Sequence, residues 1–181
     1  GPELIQCTHE EISVAVAHGY AKAAGKPMVC ATHDVVGLQH ASMAIYNAHT
    51  DRAPVIVVGG TGPMDLTTRR PGIDWLHTAL VQGELVRGYV KWDDQPSSLA
   101  AIPESFVRGH QTATMHPQGP VYICYDATHQ EERVGEDLVL PEVSRYTPPT
   151  TPGPDPDAVR TLAEWLVEAQ TPLVIADHVG K

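Results

Sequence analysis

Short β-rich runs alternate with helix-patterned stretches along nearly the whole chain, an order that produces βαβ units and a parallel sheet. The expected fold class is therefore α/β, a parallel sheet flanked by helices. Leu4 to Cys7 reads as a first strand, followed by Thr8 as a helix N-cap with Glu11 three residues on, the spacing of a capping box. The helix after it is expected to bury Ile12, Ala15, Val16, Gly19 and Ala23 and to stop at Gly25, with Pro27 just beyond. Pro27 to Thr32 predicts a second strand. Residues 37 to 50 predict a second helix with Leu38, Ala41, Ile45 and Ala48 on its apolar face.

Pro54 to Val58 is almost wholly apolar, as a strand covered on both faces must be, so it is expected at the centre of the sheet. Further strands are expected near Val86 to Val90 and over Pro120 to Tyr125. Between them lies a helix with Pro103 in its first turn and Phe106, Val107 and His110 facing inward. Prolines at 141, 148, 149, 152, 154 and 156 mark an extended linker. Beyond it, Val159, Leu162, Ala163, Leu166 and Val167 form a helical stripe, and Pro172 to Ala176 reads as a strand. One helix and one strand cannot bury themselves. The expected organisation is a domain over 1–140 that lacks its N-terminal strand, a linker over 141–156, and over 157–181 the first βα unit of an incomplete middle domain; the chain thus reads as a fragment.

Charge excludes several functions. In the 181 residues, 22 acidic against 12 basic side chains leave a net charge of −10, and no local block of Lys or Arg offsets it, so nucleic acid is not an expected partner. No apolar run approaches the roughly 20 residues of a membrane span, and the basic-then-apolar pattern of a signal peptide is absent. Cys7, Cys30 and Cys124 are odd in number and lack CxxC spacing, which fits buried free thiols on strands and an expected cytoplasmic location.

Two motif readings fail on spacing. Gly59-Gly60-Thr61-Gly62-Pro63 follows a strand, yet it is neither G-x-G-x-x-G nor a P-loop, and Pro63 removes an amide a phosphate would need. His9-Glu10 is not followed by the second histidine of HExxH, because Ser13 stands there, so no zinc site is expected among the ten histidines. Glu10 remains the most informative carboxylate. It opens a helix at the carboxyl end of a sheet strand, where α/β folds place their ligands.

The ordered set His9-Glu10, Gly19-Tyr20-Ala21, Gly25-Lys26-Pro27, Asn47-Ala48 through Arg52 to Pro54, Val90-Lys91-Trp92 and Gln118-Gly119-Pro120-Val121-Tyr122 spans roughly residues 3 to 130. In order and spacing it resembles the pyrimidine-binding domain of thiamine diphosphate enzymes, the group containing acetolactate synthase and benzoylformate decarboxylase. The resemblance implies a 2-oxo acid decarboxylase or carboligase. It implies that Glu10 hydrogen-bonds N1′ of the cofactor's aminopyrimidine, where a shared proton favours the tautomer whose exocyclic nitrogen is a base. It also implies His33 as a catalytic proton relay, and Val36, Gly37 and His40 as cofactor-binding residues beside Glu10.

The family's Mg²⁺ and diphosphate are held at a Gly-Asp-Gly motif that this chain lacks. The resemblance therefore implies a diphosphate-binding domain from another subunit, a homodimer or homotetramer, and an isolated chain without activity. An alternative is a non-catalytic pyrimidine-domain subunit of a two-chain decarboxylase. Val35-Val36-Gly37 and Leu76-His77-Thr78 depart from the acetolactate synthase pattern, so the 2-oxo acid stays open, as does FAD.

Overall fold

The computed structural model describes residues 1–136 and 138–177. Residues 1–149 form one compact unit. Its centre is a four-stranded, wholly parallel sheet ordered β1-β2-β4-β3, with β1 at Met28–Ala31, β2 at Val55–Thr61, β3 at Asp93–Asp94 and β4 at Val121–Asp126. Met28 pairs with Val55, Ile56 with Val121, and Asp93 with Tyr122. Parallel neighbours require long crossovers, which the helices supply: α1 at Glu10–Ala24, α2 at Val36–Thr50, a short α3 at Ile73–Leu76, α4 at Ile102–Thr114 and α5 at Ala127–Glu131.

The expected α/β class is the observed one, and the apolar PVIVV run is indeed internal, since β2 pairs on both edges. Its side chains alternate between two cores, as a strand's period of two demands. Val55 and Val57 join Leu38, Ala41 and Ile45 of α2 and Val14 and Ala17 of α1; Ile56 joins Val121, Ile123 and Ala113 of α4 on the other face. Each such Val, Leu or Ile stabilises the unit by about 1.5–3 kcal/mol relative to exposure. Asp51, just past α2, ties the two helices together by accepting from Lys22 at 2.5 Å and pairing with the His18 ring at 3.0 Å. The Lys22 hydrogen bond is the main reason its carboxyl lies below the ordinary value.

Several expectations fail, each for a local reason. Residues 4–7 take part in no strand pairing: β1 bonds only to β2, and a groove separates its other edge from the segment 3–7. The N-cap of α1 is His9 rather than Thr8, and its Nδ1 accepts the Glu11 N–H at 3.4 Å. Glu11 then sits at the second helical position, one short of the reach-back of a capping box. The buried face of α1 is Val14, Ala17 and Ala21, while Ile12 and Val16 are exposed. The stop at Gly25 is as expected, with φ of 65° and its N–H on the Ala21 carbonyl.

Val86 to Val90 is not a strand. The chain there forms two 3₁₀ turns, Gln82–Leu85 and Arg87–Tyr89, and Arg87 then clamps Asp93 at the start of β3. Lys91 is drawn inward to donate to the carbonyls of Thr112 and Met115 at the end of α4, and burial lowers its pKa. His110 of α4 faces outward, whereas Phe106 and Val107 are half-buried. Cys30 and Cys124 are buried on strands, the Cys30 thiol being pushed up to about 12 by burial; Cys7 is half-buried and lies off any strand.

Within the Pro-rich stretch, Val143–Tyr146 forms a 3₁₀ turn, and Gln111 donates to the Thr147 carbonyl at 3.2 Å. The second unit begins at Thr150. There α6 covers Pro156–Glu168, capped by Asp155, whose carboxylate accepts from the N–H groups of Asp157 and Ala158. Every described residue from 150 to 177 is exposed, and 172–176 forms no strand, for an apolar run without a paired neighbour has no ladder to join. Part of the 157–181 segment, residues 178–181 with His178 among them, lies outside the described residues.

The inward face of α1 gives a direct test. Val14→Ala should lower unfolding free energy by about 2 kcal/mol from two lost methyl groups and the residual cavity, whereas Val16→Ala should stay within about 0.5 kcal/mol. Denaturant midpoints with the order reversed would place the originally expected face inside.

Candidate functional site

The parallel sheet dictates where the site forms. α2 follows β1, so its N-terminus lies at the carboxyl end of the sheet. α1 precedes β1, so its C-terminus lies at the opposite end and its own N-terminus returns to the same edge. Two helix starts, each with exposed N–H groups and a partial positive charge, therefore converge beside the loop from Thr32 to Val35.

Glu10 is the first residue of α1 and Gly37 the second of α2. A Cβ on Gly37 would lie 2.9 Å from both Cγ and Oε1 of Glu10, and 2.9 Å from the His33 Cβ. Only glycine permits that approach. The Glu10 carboxylate is half-buried and makes no hydrogen bond or ion pair among the described residues. Val36 is exposed beside Gly37, and His40 lies one turn further along α2. The structure thus gathers Glu10, His33, Val36, Gly37 and His40 at one edge. A groove of about 370 Å³, lined by residues 3–7, the edge of β1 and the start of α1, reaches His9, Glu10 and His33.

His33 is exposed, with Nδ1 3.1 Å from the Asp34 carbonyl. Because a carbonyl only accepts, Nδ1 donates there, which leaves Nε2 without a partner among the described residues. His77 stands against it, ring centroids 5.2 Å apart in an edge-on arrangement, with its own Nδ1 2.9 Å from the Ile73 carbonyl. No local spacing joins these two histidines, which are 44 positions apart. Between them and the sheet sits Asp34, over Gly60, where a Cβ would collide with its Oδ1. Burial raises the Asp34 carboxyl above its ordinary value, and His33 and His77 draw it part of the way back.

The loop is held by a residue that sequence reasoning missed. Gln82 is fully buried; its Oε1 accepts the Val35 N–H at 2.9 Å and the Tyr122 hydroxyl at 3.4 Å, and its Nε2 donates to the Gly60 carbonyl at 2.5 Å. Val35 needs that support, for its φ of 40° and ψ of −68° are a strained conformation for a β-branched residue. A lone amide in Leu80-Val81-Gln82-Gly83 was the only signal available. Further out, Asp74 receives the Arg70 guanidinium and backbone N–H, which hold its carboxyl below the ordinary value, while Arg70 also pairs with Glu131.

Comparison with known proteins points to one group of enzymes. A family model described as thiamine pyrophosphate enzyme, N-terminal TPP binding domain, matches residues 1–85. Benzoylformate decarboxylase of Pseudomonas aeruginosa is 26% identical over 170 residues, covering 92% of this chain and 30% of its own length. A probable acetolactate synthase large subunit of Methanocaldococcus jannaschii is 27% identical over 172 residues, covering 93% and 28%. The crystal structure of benzoylformate decarboxylase from Polynucleobacter necessarius superposes with a TM-score of 0.78 at 28% identity, covering 91% of this chain and 29% of that one. The chain therefore spans about 30% of the length of the curated relatives it matches.

Gln82→Leu should test the scaffold. It keeps the volume but leaves the Val35 N–H and the Gly60 carbonyl without partners, at about 1–3 kcal/mol each. Thermal unfolding should register a loss of about 2–6 kcal/mol; a loss below about 1 kcal/mol would show that the loop does not depend on this amide.

Proposed function

We propose, for a chain that belongs to the thiamine diphosphate-dependent enzymes and carries their pyrimidine-binding domain, that it serves decarboxylation or carboligation of a 2-oxo acid, with Glu10 as the carboxyl group that meets the cofactor's aminopyrimidine. The observation that carries this reading is the Glu10–Gly37 contact. A carboxylate without a partner of its own rests on a position where a Cβ would displace it, at the convergence of two helix N-termini.

These residues fit the cofactor. The missing Cβ at Gly37 leaves room for Glu10 to turn its carboxyl outward, and Val36 and His40 offer an apolar and a polar flank on the same helix. When bound, thiamine diphosphate supplies the carbon nucleophile and the electron sink for the carboxylate lost as carbon dioxide. The protein's share is proton placement. Glu10 shares a proton with the ring nitrogen N1′ and holds it there. His33, with a free Nε2, holds or delivers a proton at the substrate carbonyl, and His77 packs against it to set the ring.

Mg²⁺ and the diphosphate would be held elsewhere, since no Gly-Asp-Gly occurs in this chain. We take the diphosphate-binding domain to come from a second subunit, which makes a dimer the smallest active unit and leaves the isolated chain inactive. Among the described residues no helix is long and apolar enough to cross a membrane.

Glu10→Gln in the full-length protein keeps shape but cannot share an acidic proton. Carbon dioxide release from a 2-oxo acid should fall by about 10² or more, the scale of a lost positioned proton-transfer group. Turnover equal to wild type would end the assignment.

A further inference from the structure

We propose that His9, Glu10 and His40 form a binding site for a divalent transition ion such as Zn²⁺, distinct from any site for Mg²⁺. One ligand atom from each of the three side chains lies within 4.8 Å of the others. Two imidazoles and one carboxylate are a donor set that zinc-like ions accept and that Mg²⁺, which prefers oxygen, does not. The three residues come from two elements at fixed places: His9 is the N-cap of α1, Glu10 its first residue, and His40 lies in the second turn of α2. None of the three is fully buried, so an ion can reach them.

The hydrogen-bond pattern places the lone pairs. His9 Nε2 and His40 Nδ1 are 2.7 Å apart, with ring centroids at 4.6 Å. His9 Nδ1 accepts from the Glu11 N–H, so Nε2 of that ring carries the proton and the His40 Nδ1 lone pair points at it. The two nitrogens are thus held together by a single proton. An ion in its place needs them about 3.3 Å apart, from tetrahedral geometry at the usual Zn–N length, which is a small opening of two rings at the surface. The His9 proton then moves to Nδ1, so the long 3.4 Å capping bond is given up together with the His9–His40 hydrogen bond that the ion replaces. Glu10, which has no partner among the described residues, supplies the third ligand, and at least one coordination position stays open to water.

The consequence for activity rests on the reading of Glu10 given above: an ion and the aminopyrimidine would compete for one carboxylate. The test uses full-length protein stripped of metal and cofactor, titrated with Co²⁺ and followed by its visible absorption. Wild type should show tetrahedral-type bands that Zn²⁺ abolishes. His40→Asn and, separately, His9→Gln should weaken Co²⁺ binding about 10-fold or more, at least the loss seen when outer-shell partners are removed. The exposed His110→Asn should bind as wild type does. Equal Co²⁺ affinity in wild type, His40→Asn and His9→Gln, or absent bands, would overturn the site. Zn²⁺ should also raise the apparent dissociation constant for thiamine diphosphate. Intact, His40-dependent Co²⁺ binding without that competition would sink the role of Glu10 and leave the ion site standing.

Discussion

The contact between the Glu10 side chain and Gly37 is the constraint from which the site follows. It requires α1 and α2 to begin side by side at the carboxyl edge of the sheet, and the parallel order of β1 and β2 enforces that arrangement. It also requires that the second helix offer no side chain at its second position. Both helix starts present unsatisfied N–H groups and partial positive charge, each favouring a nearby carboxylate by about 0.3–1 kcal/mol. A carboxylate in such a place is not used up by an ion pair among the described residues, which is the condition for offering it to something else.

Such an arrangement needs a rigid floor, and the floor is polar but fully partnered. Gln82 joins the Val35 N–H, the Gly60 carbonyl and the Tyr122 hydroxyl, linking the loop after β1 to β2 and β4. Strain at Val35, of the order of 1–3 kcal/mol, persists because the amide beneath over-determines the backbone. The reactive side chains above it are arranged in the opposite way. Among the described residues Glu10 has no hydrogen-bond partner, and His33 and His77 each spend only Nδ1 on a backbone carbonyl. Scaffold groups are satisfied and functional groups are left unsatisfied, a division that trades stability for reactivity.

Much of this was legible in the chain itself, and where it was not, the reason is physical. α2 declared its buried face because Leu38, Ala41, Ile45 and Ala48 stand against polar neighbours. α1 did not, because alanine and valine occur on both its sides and small apolar residues satisfy either face; packing chose Val14, Ala17 and Ala21. PVIVV announced a central strand, whereas β3 is two aspartates long and carries no apolar signature. Leu4 to Cys7 and Pro172 to Ala176 have strand composition, yet a strand exists only where an edge is there to pair with. Glu10, His33, Val36, Gly37 and His40 could be named as candidates through the resemblance that the order of motifs carries. Gln82, the His33–His77 contact and the His9–His40 pair could not, since each joins residues more than 20 positions apart and no local spacing encodes them.

His9 shows how closely local and long-range demands are joined here. Its Nδ1 does the work of an N-cap, normally given to Ser, Thr, Asp or Asn, and at 3.4 Å does it weakly. A better cap was available one residue earlier in Thr8, and the helix does not use it. What the imidazole adds is a second nitrogen, and that nitrogen reaches His40 on the neighbouring helix at 2.7 Å. Thr8 capping would draw His9 into the first turn of α1 and end its service as the cap, while Glu10 would keep its place on the helix body that Val14, Ala17 and Ala21 hold. The weaker cap is therefore the one that leaves the imidazole joining two helix starts, with one nitrogen on the Glu11 N–H and the other on His40.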